Sequence, residues 1–492
     1  MKLLRINEKD NVAVALERLE AGSTENIDGQ EVVLKENVDK GHKIALTQLH
    51  TGDKIIKYGF PIGHCTQDIQ CGEWVHTHNV KTDLSESADY EYHPHTSYIF
   101  EVLEKSFMGY RRADGRVGIR NEIWIIPTVG CVNSVAQRLE RECQLSADST
   151  VEGVHAFTHP YGCSQMGDDH EQTKKLLTAL VRHPNAGGVL VVGLGCENLT
   201  QEQFKEELKD WDENRVKFMI CQDEDDEIQT GKKLLDELIR YAASFSREEI
   251  PASELIVGMK CGGSDGLSGI TANPTVGQFS DLLIADGGTT ILTEVPEMFG
   301  AENILLERCA DQTVFDKAVD MINGFKKYYT DHHQVVYENP SPGNKAGGIT
   351  TLEDKSCGCV QKGGTAIVTD VLHYAEQVTT KGLNLLTGPG NDLVSSTALA
   401  ASGAHLVLFT TGRGTPFGAP VPTVKISSNS LLKDKKSNWI DFNAGSVADG
   451  ESIREAGGRL LDYVMKVASG KQTHSEINGY RDLAIFKDGV TL

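Results

Sequence analysis

Two histidines, a cysteine, a tyrosine and two aspartates stand within the run HPYGCSQMGDDH, His159 to His170. These side chains move protons or bind metals, and their spacing fits no zinc-finger pattern. The run follows the strand-like VEGVHAFT and precedes a stretch in which Leu176, Leu177, Leu180 and Val181 recur at helical spacing. Asp168 or Asp169 could cap that helix by accepting from its free N–H groups. Capping does not account for His159, Tyr161 and Cys163, which fall in the turn itself. The run is therefore read as a catalytic loop, with His159, His170 and Cys163 as its reactive groups.

Other stretches carry chemistry of a matching kind. VLVVGLGCEN begins like a dinucleotide turn but has Asn198 at the third glycine and Glu197 where a pyrophosphate would sit. A carboxylate there repels phosphate, so the run reads as an anion- or metal-handling loop rather than a nicotinamide site. KCGGSDGLSGITANP brings Cys261, Gly262, Gly263, Ser264, Asp265 and Asn273 together on a backbone able to approach a ligand closely. ENPSPGNKAGG supplies Asn344 and Lys345, and TTGRGTPFG supplies Arg413 on a turn after an apolar strand. A guanidinium there suits a bidentate carboxylate contact, and a lysine in a dry pocket suits proton abstraction. In WVHTHNV the period of a strand places His76 and His78 on one face, half of a metal site. His42 and Lys43, in the turn KGHK, could complete it.

The elements that must hold these groups are legible from pattern. Residues 1–80 alternate short apolar strands with turns and read as a small β-rich domain; 81–107 is acidic, without periodicity, and reads as a linker. From 108 onward, apolar runs ending in glycine or cysteine alternate with helical stretches, which indicates an α/β region with largely parallel sheets. A break at SREEIPASE divides it into lobes at 108–246 and 247–492. In such sheets ligands lie beyond the carboxyl ends of strands, where Cys131, Cys163, Cys196 and Cys261 all fall. The formal net charge of −22 argues against nucleic-acid or anionic-membrane partners. The eleven cysteines are scattered rather than framed, and no apolar run reaches spanning length, so a reduced, cytoplasmic protein is expected. A homo-oligomer is compatible with all of this.

GHKIAL, IKYGFPIG, HPYGCSQMGDDH, GLGCEN, CGGSDGLSGITANP, LTEVPEMFGAE, NPSPGNKAGGITTLEDKS and TTGRGTP, in this order and nearly end to end, resemble the altronate/galactarate dehydratase family. The resemblance implies an N-terminal SAF-type β domain and Rossmann-like lobes. It also implies dehydration of a sugar acid in hexuronate catabolism, altronate to 2-dehydro-3-deoxy-D-gluconate, with a divalent metal, Fe(II) first and Mn(II) as the alternative. Within the family the paired histidines favour altronate over galactarate. Cys357, His64 and Cys65 depart from the family pattern and add soft ligands.

On this reading His42, His76 and His78 hold the metal. Arg413 and Gly262–Gly263 hold the substrate carboxylate, with Ser264, Asp265, Asn273, Asn344 and Lys43 lining the rest. Lys345 or His159 removes the C2 proton; the other, or His170, protonates the departing hydroxyl. Cys163, Cys196 and Cys261 are the competing ligand set, for a metal or for an iron–sulfur cluster. A non-catalytic sugar-acid binding protein is the reading from another class.

Overall fold

The N-terminal strands are short because turn residues interrupt them every few positions. In NIDGQ, Asp28 and Gly29 both take positive φ, and the tight turn they form joins Thr24–Ile27 to Gln30–Val33 as a hairpin. Tyr58 and Gly59 do the same between Lys54–Lys57 and Phe60–Cys65. With Leu3–Leu4, Val12–Ala15, Lys43–Ala45 and Trp74–Val75 forming an antiparallel sheet, this part encloses two small apolar cores of its own. The computed structural model describes residues 2–84, 89–94 and 101–489. Part of the expected linker, 85–88 and 95–100, lies outside the described residues.

Two parallel sheets follow, as the alternation of buried strands and helices requires. The first has four strands in the order Gly153–Ala156, Glu122–Pro127, Ala186–Gly193, Val216–Ile220. Every residue of Ala186–Gly193 is buried, the mark of a strand covered by helices on both faces. The second has seven parallel strands with Ile256–Cys261 at its centre, flanked by Thr289–Leu292 and Leu406–Thr411. The fold is thus α/β with a β-rich N-terminal part.

SREEIPASE is not an irregular break. Arg247–Pro251 is a strand that pairs antiparallel with Ser106–Arg111, so the chain entering the first parallel sheet lies beside the chain leaving it. The two sheets share a core in which Trp124 and Phe157 from one side join Phe409 and Phe417 from the other. That packing fixes the strand ends of one sheet relative to those of the other.

Candidate functional site

The turn holding Gly41, His42 and Lys43 closes against the loop 343–348 of the main body. A Cβ on Gly348 would lie 2.3 Å from the Gly41 carbonyl oxygen, and one on Gly41 would lie 3.0 Å from that of Gly347, so the two backbones touch where only glycine fits. The Lys43 ammonium, fully buried, donates to the Gly348 carbonyl at 2.9 Å and to Asp354 at 2.8 Å. Lys57 donates to the other Asp354 oxygen at 2.9 Å. Burial draws the Lys43 pKa down to about 8.

Above this contact sits an aromatic group. The Trp74 indole N–H donates to His42 Nδ1 at 3.1 Å, which leaves the His42 proton on Nε2, 3.4 Å from the Ala346 carbonyl. The His76 ring stacks on Trp74, centroids 5.0 Å apart, and lies 5.1 Å from His42. Burial, helped by the Lys43 charge, lowers the His76 pKa to about 4, so the ring is neutral, and its buried Nδ1 has no partner. His78 is exposed beside Trp74.

Facing these rings is the short helix Pro342–Ala346, set by a capping box in which Ser341 and Asn344 bond reciprocally. The Asn344 amide also donates to the Ser264 carbonyl at 2.8 Å, tying the helix to the glycine-rich loop. The ammonium of Lys345, half-buried on this helix, has no hydrogen bond or ion pair among the described residues. Arg413 reaches the Gly343 carbonyl at 3.0 Å with one nitrogen and leaves the rest of its exposed fork free. The Ser264 hydroxyl is buried without a partner. Gly263, at φ +66°, makes the turn that brings this loop under Arg413.

Neighbouring polar groups are spent on holding the loops. Asp265 accepts from the Ser268 and Leu267 N–H groups and from Ser428 and Asn429. Asn273 donates to the Gly358 carbonyl at 2.9 Å and accepts from Thr410 at 2.7 Å. The unspent set is Lys345, Arg413, Ser264 and His76.

A second cluster lies directly behind. The Cys261 and Cys359 sulfurs are 3.4 Å apart, and both thiols donate to one Glu297 oxygen, at 2.9 and 3.0 Å. Among the described residues these three form the group of His, Cys, Asp or Glu side chains whose donor atoms all lie within 4.8 Å of one another. The donors of His42, His76 and His78 do not gather to that spacing, and both His42 nitrogens are engaged.

Around the thiols, Lys260, Lys355 and Lys362 are balanced by Glu294, Glu297 and Asp392. Burial would raise the Glu297 carboxyl, but the three lysines outweigh it and hold it well below its usual range. The Cys359 thiol is pushed far up by its bond with Cys261 and by burial. Exchanging two thiol protons for one divalent cation leaves the charge count unchanged. The residues therefore fit a divalent metal by donor type and by charge. One small cavity touches Ser264, Asp265, Lys57, Tyr58, Lys355 and Cys359, and so lies between the glycine-rich loop and this cluster.

The opening run is arranged differently. His159 is buried, with Nε2 against the Pro127 carbonyl at 2.8 Å and Nδ1 accepting from Tyr161 N–H at 3.2 Å, so both nitrogens hold backbone. His170 meets Gln203 at 3.2 Å, between helices Gly167–Arg182 and Gln201–Leu208. The helix is capped at Met166 without a side-chain bond, and Asp169 accepts instead from the N–H groups of Asp488 and Gly489. Cys163 is exposed, remote in sequence and in sheet from Cys261.

Glu197 folds back on its own turn. It accepts from Leu194 and Gly195 N–H at 3.1 and 2.6 Å and from the Thr128 hydroxyl at 2.8 Å, occupying the nest a phosphate would need.

Sequence reasoning did not reach Glu297, Cys359 or Lys355. Glu297 lies in LTEVPEMFGAE and Cys359 in EDKSCGC, and nothing in either run tells that they share one oxygen with Cys261.

No helix among the described residues is long and apolar enough to cross a membrane. Three family descriptions match in tandem: altronate/galactarate dehydratase SAF domain over 1–83, D-galactarate dehydratase/altronate hydrolase second domain over 109–243, and D-galactarate/altronate dehydratase C-terminal over 252–491. The altronate dehydratase of Escherichia coli K12 is 52% identical over all of both chains. That of Bacillus subtilis 168 is 54% identical over 99% of each. The galactarate dehydratase (L-threo-forming) of E. coli K12 is 34% identical over 98% of this chain and 96% of its own. The chain belongs to the altronate/galactarate dehydratase family.

Proposed function

We propose that the protein is a hydro-lyase that converts D-altronate to 2-dehydro-3-deoxy-D-gluconate and water. The observation that carries this is the short helix Pro342–Ala346, which bears Lys345 and on whose carbonyls both Arg413 (Gly343, 3.0 Å) and His42 (Ala346, 3.4 Å) rest, with the neutral His76 ring 5.1 Å from that of His42. The identities of 52% and 54% to two altronate dehydratases, against 34% to a galactarate dehydratase, favour altronate as the acid.

Removing the C2 proton of a sugar acid places negative charge on its carboxylate, and stabilising that charge is the main catalytic need. Arg413 binds the carboxylate through the part of its fork that Gly343 does not use. Ser264, buried and unpartnered, takes a substrate hydroxyl. Lys345 receives the C2 proton. The C–H electrons form the C2–C3 double bond as the C3–O bond breaks, and the departing hydroxyl leaves as water with the proton that Lys345 has taken up, while neutral His76 hydrogen-bonds the leaving oxygen. The resulting enol tautomerises to the 2-keto-3-deoxy acid.

Cys261, Glu297 and Cys359 would hold the metal, and Fe(II) suits their two thiolates better than Mn(II) does. When bound, a divalent ion supplies Lewis-acid stabilisation of the developing carboxylate charge. The eleven unpaired cysteines suit a reducing cytoplasm.

The test offers D-altronate, galactarate and D-mannonate separately to anaerobically purified, Fe(II)-loaded protein and assays 2-keto-3-deoxy acids. Turnover of altronate alone, lost with chelator, is expected. Turnover of galactarate in its place would overturn the substrate assignment, and binding without turnover would overturn the reaction.

A further inference from the structure

Of the eleven cysteines, three are exposed: Cys131, Cys163 and Cys196. All three stand beyond the carboxyl edge of the same four-stranded sheet, in the segments that follow its three adjacent strands Gly153–Ala156, Glu122–Pro127 and Ala186–Gly193. Pro127 pairs with Val192 in register, and Cys131 and Cys196 stand equally far along the chain beyond that pair. Adjacent strands run about 4.8 Å apart, so the three turns begin side by side.

The turns are stitched to one another. Gly130 N–H donates to the Tyr161 carbonyl at 2.9 Å, the Asn133 amide donates to the His159 carbonyl at 2.8 Å, and Leu199 N–H donates to the Gly162 carbonyl at 3.1 Å. Ser164 N–H donates to Asn198 at 2.7 Å. Glu197 locks the third turn from within, and His159 anchors the second from beneath. A Cβ on Gly162 would lie 1.9 Å from the Thr128 carbonyl oxygen, and one on Gly130 would lie 3.0 Å from that of His159. Glycine is required at 162, and a side chain at 130 would be tight, for the cysteine turns to come this close. The Gln222 amide points at the Cys196 sulfur, 3.6 Å away, a donor placed for an electron-rich sulfur.

Exposed thiols are a liability to a protein in solution, and their confinement to one rigid edge calls for a ligand. Among the described residues the three sulfurs do not all lie within 4.8 Å of one another, a wider spacing than the Cys261–Glu297–Cys359 group has. A cluster of irons, each taking one thiolate, accepts wider spacing. The geometry points to a site for a cubane iron–sulfur cluster held by Cys131, Cys163 and Cys196, separate from Cys261–Glu297–Cys359. Three thiolates leave one iron without a protein ligand and open to a hydroxyl or carboxylate oxygen. Cys261 takes no part, since it is buried in the other sheet.

The test reads cluster content, not turnover, so it stands or falls apart from the altronate assignment. The full chain, purified anaerobically and reconstituted with Fe(II) and sulfide, should carry about four irons and four acid-labile sulfides beyond any singly bound metal, with broad visible absorbance. Cys131→Ser, Cys163→Ser and Cys196→Ser should each cut labile sulfide at least threefold, while Cys143→Ser, at the end of the helix Asn133–Glu142, keeps wild-type loading. Circular dichroism checks that the variants remain folded, which their exposed positions favour. Wild-type protein without labile sulfide, iron bound one per chain without sulfide, or equal loading in all four variants would each overturn the proposal.

Discussion

Lys43 of the N-terminal sheet donates to Asp354 of the main body at 2.8 Å, and neither side chain is exposed at all. Lys57 shares the same carboxylate. The charge that docks the first part of the chain on the rest is therefore a single acid between two buried ammoniums. Asp354→Asn leaves both uncompensated, and a loss of about 3–5 kcal/mol is expected in urea unfolding. Limited proteolysis should then release residues 1–84 early. Unchanged stability would show that the glycine contacts and the bonds of Thr82 and Asp83 to Glu353 and of Thr351 to Ile62 hold the two parts together without the ion pair.

Arg413 is exposed and makes one backbone bond, so its replacement should spare the fold. Arg413→Met is expected to lower kcat/KM for altronate about 100-fold, or about 2.7 kcal/mol, with Tm unchanged. Arg413→Lys should recover only part of this, because an ammonium lacks the planar fork. Full activity in the methionine variant would remove Arg413 from the carboxylate site.

Lys345 should control the chemical step. Lys345→Met is expected to reduce kcat by roughly 10²–10⁴ with little change in KM, metal content or Tm. A change confined to KM would make Lys345 a binding group.

Metal content should follow the thiols. Glu297→Gln and Cys359→Ser are each expected to lose the singly bound metal by elemental analysis while leaving labile sulfide intact. His76→Ala should keep the metal. Metal lost from the histidine variant and retained in the thiol variants would move the ion to the aromatic face.

Stability should fall on mild acidification. Burial holds His159 at a pKa of about 4, His183 at about 3 and His405 at about 4, all below the ordinary 6.5. Between pH 6.5 and 4 the unfolded chain takes up these protons and the folded one does not, so stability drops as pH falls through that window. The slope approaches about 1.4 kcal/mol per pH unit for each histidine. Urea unfolding at pH 7 and pH 5 measures it, and a flat profile would mean that these rings are protonated inside the fold.

The sheets were legible because buried strands such as GGVLVVG are uniformly apolar and end in glycine. The departure of GLGCEN from the dinucleotide fingerprint was also legible, since Glu197 is a local fact about one turn. The roles of the histidines were not. Nothing in HPYGCSQMGDDH distinguishes an imidazole facing a substrate from one whose two nitrogens hold Pro127 and Tyr161. Likewise His42 meets Ala346, and Cys261 meets Cys359, only because separate layers pack; sequence periodicity carries no record of those distances.

Glu197 has a consequence for what this lobe could become. Its carboxylate lies on two backbone N–H groups at the end of a parallel strand, the fitting with which other proteins grip phosphate. Glu197→Ala would bare those groups. A strand end of this lobe thus carries a ready-made anion seat that one side chain of the protein itself fills.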